Sequence, residues 1–336
     1  MKPSSAAKAA TLHDVARLAG VSLITASRAL SKPELVSDKT IARVQEAVAQ
    51  TGYLPNLMAG GLKSRRSQMV AGIIPALSVA QFLPTLQTLT ETLAQSGYQL
   101  ILGQTGYDVQ REEALINTMI SRRPDGLFMT GLVHAAAARE RLQKAGIPVV
   151  ESWDFSPQPV DMLVGFSHPA VGAAIADYFR RQGRQRVGIA SANDPRALQR
   201  CAGFEARWGQ PVPTALVPAP SGLARGREAL SALLAQSPAL EAVYCSSDQM
   251  AQGVLVEAQA RGLRVPEDLA LCGFGNAEFS AHMVPALTTV HVDGAGIGQR
   301  AAQMILQRCA GQPVTEPVQD MGFSIIERRS TERAAT

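Results

Sequence analysis

At 336 residues the chain exceeds one ordinary domain, and two or three compact units are expected. Hydrophobic residues make up 46% of it, yet no run approaches ~18 consecutive apolar residues, which argues against a membrane span. The net charge of +4 is uneven: residues 1–68 hold ten Lys/Arg against four acids, and the remainder holds 22 against 24.

A basic first fifth on a near-neutral body suggests a nucleic-acid-binding head. The opening MKPSSAAKAATLHDVA lacks the continuous apolar core of a secretory signal, so a cytoplasmic location is expected. Cys201, Cys245, Cys272 and Cys309 lie far apart in apolar surroundings, with no C-x-x-C spacing. They are expected as reduced, mostly buried thiols, and no metal site or cofactor is expected.

Residues 1–10 are expected to be a disordered tail. In TLHDVARLA (11–19), Leu12, Val15 and Ala16 or Ala19 fall at helical spacing, with Thr11 as N-cap and Asp14 in the first turn. Gly20-Val21-Ser22 breaks this helix, and Ser22 can cap a second over 23–30 that buries Ala26 and Leu30. VSDKTIARVQEAVAQTGY (36–53) supplies a third, capped by Ser37, with Ile41, Val44 and Val48 inward and Gly52 ending it. Two helices joined by a tight Gly turn and packed by a third make a helix-turn-helix unit, placed at 11–55.

LPNLMAGGLKSRRSQ is different. It holds Pro55 and Gly60-Gly61 and ends in a basic cluster, so 56–68 is expected to be a hinge with little helix of its own.

From Met69 the pattern alternates. Strand candidates are MVAGIIP, YQLILGQ, DGLFMTG, IPVVES, MLVGF, RVGIAS, TALVPA, EAVYCSS, LALCGF and LTTVHVD, with helical segments between them. Repeated βα units predict parallel sheets covered on both faces, and there are enough for two doubly wound halves. Ligands in such folds bind beyond the carboxyl ends of the strands, so two facing halves predict a cleft. The core is placed at 69–330, its first half at about 69–166 plus 294–317 and its second at about 167–293 plus 318–330.

The head resembles the LacI family of bacterial transcription regulators. The resemblance rests on D-V-A-x-x-A-G-V-S, T-x-S-R, V-S-x-x-T and G-Y-x-P-N, all at fixed spacing within residues 11–56. It continues through CAGFE, SSDQMAQG, VPEDLALCGFGN and PALTTVHVD, and so spans nearly the whole chain. The resemblance implies an all-α head, a hinge, and an α/β core like periplasmic sugar-binding proteins. It also implies operator DNA as partner, a small-molecule effector, and assembly as a homodimer or tetramer. The tail SIIERRSTERAAT shows no leucine heptads to support a tetramer.

By this resemblance the second helix enters the major groove, and Thr25, Ser27 and Arg28 match DNA-contacting positions. Arg28 can bond guanine or phosphate, while Ser22, Thr25 and Ser27 offer short hydroxyls. Leu23 and Ile24 occupy the pair with which the family tells operators apart. An apolar pair reads by shape, and the thymine methyl is the apolar mark in that groove. The alternative is that both pack inside the head. Asn56 closes the G-Y-x-P-N element and is grouped with the DNA contacts. Leu62 matches a leucine that wedges into the minor groove, and Lys63 could neutralise a nearby phosphate.

In the core, Arg200 matches the family arginine that holds effector oxygens, and Asp248 the aspartate after a strand. Ser78 and Phe82 after the first strand, Glu151 and Trp153 after the fourth, and Asn276 after LCGFG are further effector candidates. His168 sits near a crossover between halves. I-P-V-V-E and V-G-F look most like the gluconate-repressor branch, which suggests gluconate or a related sugar acid, or its phosphate. Glu151 would then serve the hydroxyl end, with Arg200 nearer the carboxylate.

No phosphate-cradling, dinucleotide, serine-hydrolase or zinc-hydrolase motif is present, so no enzyme is expected. The expected function is a repressor released from its operator by a sugar acid. The alternatives are a regulator of another sugar, a corepressor-dependent regulator, and a transport-type solute-binding protein.

Overall fold

The structure, a computed structural model, describes residues 10–54 and 66–332. It forms two units, one ending at Ser67 and one beginning at Gln68. Residues 1–9 of the expected tail, Asn56, Leu62, Lys63 and the Gly60-Gly61 step lie outside the described residues.

The first unit contains α1 (Leu12–Ala19), α2 (Leu23–Ser31) and α3 (Asp38–Thr51). Thr11 and Asp14 close the start of α1, with the Thr11 N–H donating to Asp14 Oδ2 at 3.0 Å. Gly20 ends it at φ 60, a left-handed position that a side chain would strain. Ser22 caps α2 by accepting from Thr25 N–H at 3.1 Å. Ser37 does begin α3, but its hydroxyl meets Thr40 Oγ1 at 3.1 Å and caps no backbone N–H. A small core of Val15, Ala19, Ala29, Val44 and Ala47 joins the helices, with Leu30, Ile41 and Val48 partly buried against it. Arg43 of α3 donates to the carbonyls of Ala19 and Gly20, which fixes the turn that aims α2.

The second unit holds two six-stranded sheets. The first is built from β1 (Met69–Ile74), β2 (Gln99–Gln104), β3 (Gly126–Thr130), β4 (Val149–Ser152), β5 (Met162–Gly165) and β11 (Val318–Asp320), in the order β11-β5-β4-β3-β1-β2. The second is built from β6 (Val187–Ala192), β7 (Thr214–Val217), β8 (Ala242–Cys245), β9 (Ala270–Phe274), β10 (Thr288–His291) and β12 (Ser324–Ile326), in the order β12-β10-β9-β8-β6-β7. All pairings are parallel except β10 with β12. The central strands are buried along their whole length, as parallel strands between helical layers must be.

The helices are α4 (Leu83–Gln95), α5 (Val109–Ser121), α6 (Ala136–Ala145), α7 (His168–Arg181), α8 (Pro195–Trp208), α9 (Leu223–Gln236), α10 (Asp248–Ala260) and α11 (Gly294–Cys309). The chain crosses between sheets after β5, after β10 and after β11. The last crossing corrects an expected boundary. The sequence pattern places residues 318–320 in the second half, but Val318, Gln319 and Asp320 pair in parallel with Leu163, Val164 and Gly165 of the first sheet. The apolar alternation there is too short to reveal which edge it joins. Cys201, Cys245 and Cys272 are buried, and none of the four cysteines is in a disulfide. Among the described residues no helix is long and apolar enough to cross a membrane.

Candidate functional site: a DNA-reading helix and a ligand cleft

On α2, Leu23 and Ile24 are 38% and 64% exposed, so neither packs into the head. Ser27 and Arg28 are exposed beside them. Ser22 and Thr25 share a 2.8 Å contact between hydroxyls, so part of their hydrogen-bonding capacity serves the cap. The helix start therefore presents an apolar pair flanked by short hydroxyls and one guanidinium.

In the core, an open cleft of about 640 Å³ lies beyond the carboxyl ends of the strands. Phe82 and Trp153 from the first half face Arg196, Arg200, Asp248 and Phe274 from the second. Arg200 is 3% exposed and held on all sides. Nε donates to Tyr244 Oη at 2.9 Å, Nη1 to His168 Nδ1 at 3.0 Å, and Nη2 to the Ser246 carbonyl at 3.2 Å. Its guanidinium carbon stands 4.0 Å from the Phe274 ring centroid. Five N–H donors less these three leave two uncommitted.

Helix packing sets that position. Gly172 of α7 faces the backbone carbonyl of Arg200, and Gly203 of α8 faces that of Pro169, so neither site has room for a Cβ. The two helices thus touch backbone to backbone, and Arg200 rides on the contact.

His168 fills the gap between Arg200 and the first half. Because Arg200 donates to Nδ1, the proton sits on Nε2, which donates to the Trp153 carbonyl at 2.9 Å. The ring is therefore neutral. Burial first, then the charges of Arg200 and Arg196, hold its pKa well below the usual histidine range. Unfolded, the same ring takes up a proton below about pH 6.5. The unfolded chain then binds more protons, so this contribution is complete above that pH and is lost as pH falls toward the folded-state pKa. Until that point the loss is about 1.4 kcal/mol per pH unit. Denaturant titrations at pH 7.5, 6.5 and 5.5 should show this slope, and the His168→Asn variant should show one proton less of it.

Asp248 lines the cleft at the first residue of α10, but its carboxylate is largely committed to protein. Oδ1 accepts from Thr289 Oγ1 at 2.5 Å, and Oδ2 from Ala277 N–H at 2.7 Å and Ser280 Oγ at 3.0 Å. Burial outweighs these bonds and leaves its pKa above the usual carboxylate range. It ties α10 to the segment after β9 and is more a brace than a ligand hook.

Of the remaining candidates, Phe82 and Trp153 belong to the cleft. Trp153 lies just past β4 at φ 57, a turn that swings its ring in, and its N–H donates to Thr85 Oγ1 at 2.9 Å. Glu151, Ser78 and Asn276 are corrections. Glu151 is fully buried behind the sheet, where it accepts from Val133 N–H at 2.6 Å and Val160 N–H at 2.7 Å. Its place in a strand whose side chains alternate between faces sends it away from the cleft. Ser78 is exposed on the loop after β1 and outside the cleft lining. Asn276 lies at φ 49, which turns its side chain back onto His291 and Arg328, the latter donating at 2.7 Å.

Sequence reading missed Arg196. It lies four residues before Arg200 on α8, and that spacing puts both guanidiniums on one helix face. Asp194, which also lines the cleft, caps the same helix through Ala197 N–H at 3.1 Å.

Residues 11–56 match the bacterial regulatory proteins of the lacI family, and residues 176–331 match the periplasmic binding protein-like domain. The HTH-type transcriptional regulator GntR of Pseudomonas aeruginosa is 36% identical over 327 residues, 96% of this chain and 95% of that one. The chain belongs to the LacI family. A crystal structure of a LacI family regulator from Silicibacter pomeroyi superposes with a TM-score of 0.91 at 36% identity, covering 96% of this chain and all of that one. The lac repressor dimer bound to operator and the anti-inducer ONPF shares the fold, with a TM-score of 0.81 at 24% identity over 96% of this chain and 99% of that one. As a LacI-family member the protein is a DNA-binding transcriptional regulator with a head, and a core of two parallel-sheet halves. The transport-type reading is not favoured.

Proposed function

We propose that this regulator is a homodimeric repressor whose α2 reads a half-site and whose cleft takes a sugar acid, such as gluconate or its phosphate, that releases it from DNA. The observation that carries the effector reading is the cationic wall of the cleft. Arg200 and Arg196 face it, while the two carboxylates that also line it, Asp248 and Asp194, already accept hydrogen bonds from protein donors. A planar, partly free guanidinium suits a carboxylate or vicinal hydroxyls. Aromatic rings of Phe82, Trp153 and Phe274 supply the apolar faces against which a sugar carbon chain packs.

Two heads of a dimer meet two half-sites in successive major grooves, with residues 11–55 as the reading unit and 56–68 as the hinge. Effector binding alters the angle between the core halves and separates the hinges. Linkage then makes effector weaken DNA binding by the same factor that DNA weakens effector binding.

Calorimetry of the purified chain with gluconate and its phosphate, followed by operator gel shifts with the same compounds, tests this directly. Heat with either acid and loss of the shifted band are the expected outcome. Heat with a strengthened band reverses the sign to corepression, and no heat with any sugar acid removes the effector class. For the head, replacing half-site thymines by uracil should cost affinity if Leu23 or Ile24 meets a methyl. Unchanged binding would remove that contact.

A further inference from the structure

The cleft has a neighbour. A second space of about 560 Å³ lies in the first half, beyond the ends of β1, β2 and β3, and Tyr107 and Arg196 line both. The two spaces differ in charge. The cleft sets Arg196 and Arg200 against Asp248, whose carboxylate is taken up by protein donors, and Asp194, which caps α8. The second chamber carries Asp108, Glu112 and Asp154 against His134 and the same Arg196.

Arg196 is 8% exposed, and its Nη1 is buried with no hydrogen-bond partner. The residue belongs to α8 of the second half, yet its guanidinium carbon stands 5.2 Å from the Phe82 ring centroid in the first. A buried guanidinium N–H without an acceptor is costly, and a ligand oxygen would satisfy it. Asp154 offers the complement. It is 3% exposed, and Oδ1 accepts from Phe155 N–H at 2.8 Å. Oδ2 receives no hydrogen bond from the described residues. Glu112 is turned toward His134, accepting from its N–H at 3.3 Å, and Asp108 caps α5 through Gln110 and Arg111 N–H.

We propose that the effector lies lengthwise across both spaces, its anionic group between Arg196 and Arg200 and its hydroxylated end beyond Tyr107 against Asp154. The proposal rests on the sugar-acid reading and deepens it: the site measures chain length and tolerates one anionic end only. Asp154 takes the role that sequence spacing had suggested for Glu151. A second anionic group at the far end, whether a carboxylate or a phosphate, meets a carboxylate there and is rejected. The unphosphorylated monoacid is therefore preferred over its terminal phosphate.

Calorimetry with three acids tests this: gluconate, three-carbon glycerate, and the six-carbon diacid glucarate. The full-length wild-type chain should bind gluconate at least tenfold more tightly than either of the others, the factor expected for about one charged hydrogen bond gained or lost. Asp154→Asn should weaken gluconate about tenfold, leave glycerate unchanged and narrow the gap to glucarate. Arg196→Met should weaken gluconate and glycerate by the same factor. Thermal melts of each variant separate these effects from loss of fold, and the ratio between ligands does not move with stability. Glucarate bound as tightly as gluconate by wild type, or Asp154→Asn weakening glycerate as much as gluconate, would overturn the lengthwise arrangement while leaving a sugar-acid effector in place. Absence of heat with all three acids overturns the sugar-acid reading and this arrangement with it.

Discussion

Substituting Met for Arg200 should leave a repressor that binds its operator and no longer answers its effector. The side chain is enclosed by Tyr244, His168, Ser246 and Phe274, so methionine can fill much of its volume but replaces none of its donors. Effector affinity should fall about 100-fold, which corresponds to roughly 2.7 kcal/mol for a charged, bidentate contact. Stability should fall as well, because the Tyr244 and His168 polar atoms lose their partner at about 1–3 kcal/mol each. Gel shifts in rising effector concentration, read beside calorimetry, check the first effect and denaturant titration the second. A variant that is still released at wild-type effector concentration would take Arg200 out of the ligand contacts.

A second large effect is expected at a residue that touches no ligand. Gly172→Ala places a methyl against the backbone carbonyl of Arg200 and the backbone N–H of Phe204, where no flexible side chain can yield. α7 and α8 must then move apart. Overpacking of this kind costs about 3 kcal/mol, or roughly 6–12 °C in Tm for a core of this size. Effector affinity should fall with it, since Arg200 is displaced with its own backbone. Gly222→Ala is the control: it is a glycine with nothing near its absent Cβ, and it should cost no more than about 1 kcal/mol, the difference between Gly and Ala at an N-cap. Differential scanning calorimetry of the two variants makes the comparison. Equal melting temperatures would show that the helices have slack at this crossing.

Much of this architecture is legible in the sequence, for identifiable reasons. The continuous apolar runs of the core strands and the Gly and Ser punctuation of the head leave little choice of element type. Arg200 is legible too, because the five residues of CAGFE follow it directly. The failures share one cause. Position along a strand or turn indicates that a residue is near the cleft, not which way it faces. Glu151 precedes Trp153 by two residues, and a left-handed φ of 57 at Trp153 separates a buried brace from a cleft wall. Asn276, at φ 49, is turned away by the same backbone conformation. Arg196 was legible in principle, since its spacing from Arg200 follows from helix geometry alone. Asp154 was not, since the chamber it faces is assembled from five separate segments of chain.

The threefold crossing between sheets also constrains how the protein is made. α11 and β11, which complete the first half, lie at 294–309 and 318–320, and β12, which completes the second, at 324–326. A ribosome must therefore release almost the whole chain before either half can close, and the earlier strands wait with apolar faces uncovered. Neither half corresponds to a continuous stretch that could be expressed alone. Truncation before residue 294 should strip the first sheet of a covering helix and an edge strand together, so a premature stop at that point is expected to yield an aggregating product and not a shortened regulator.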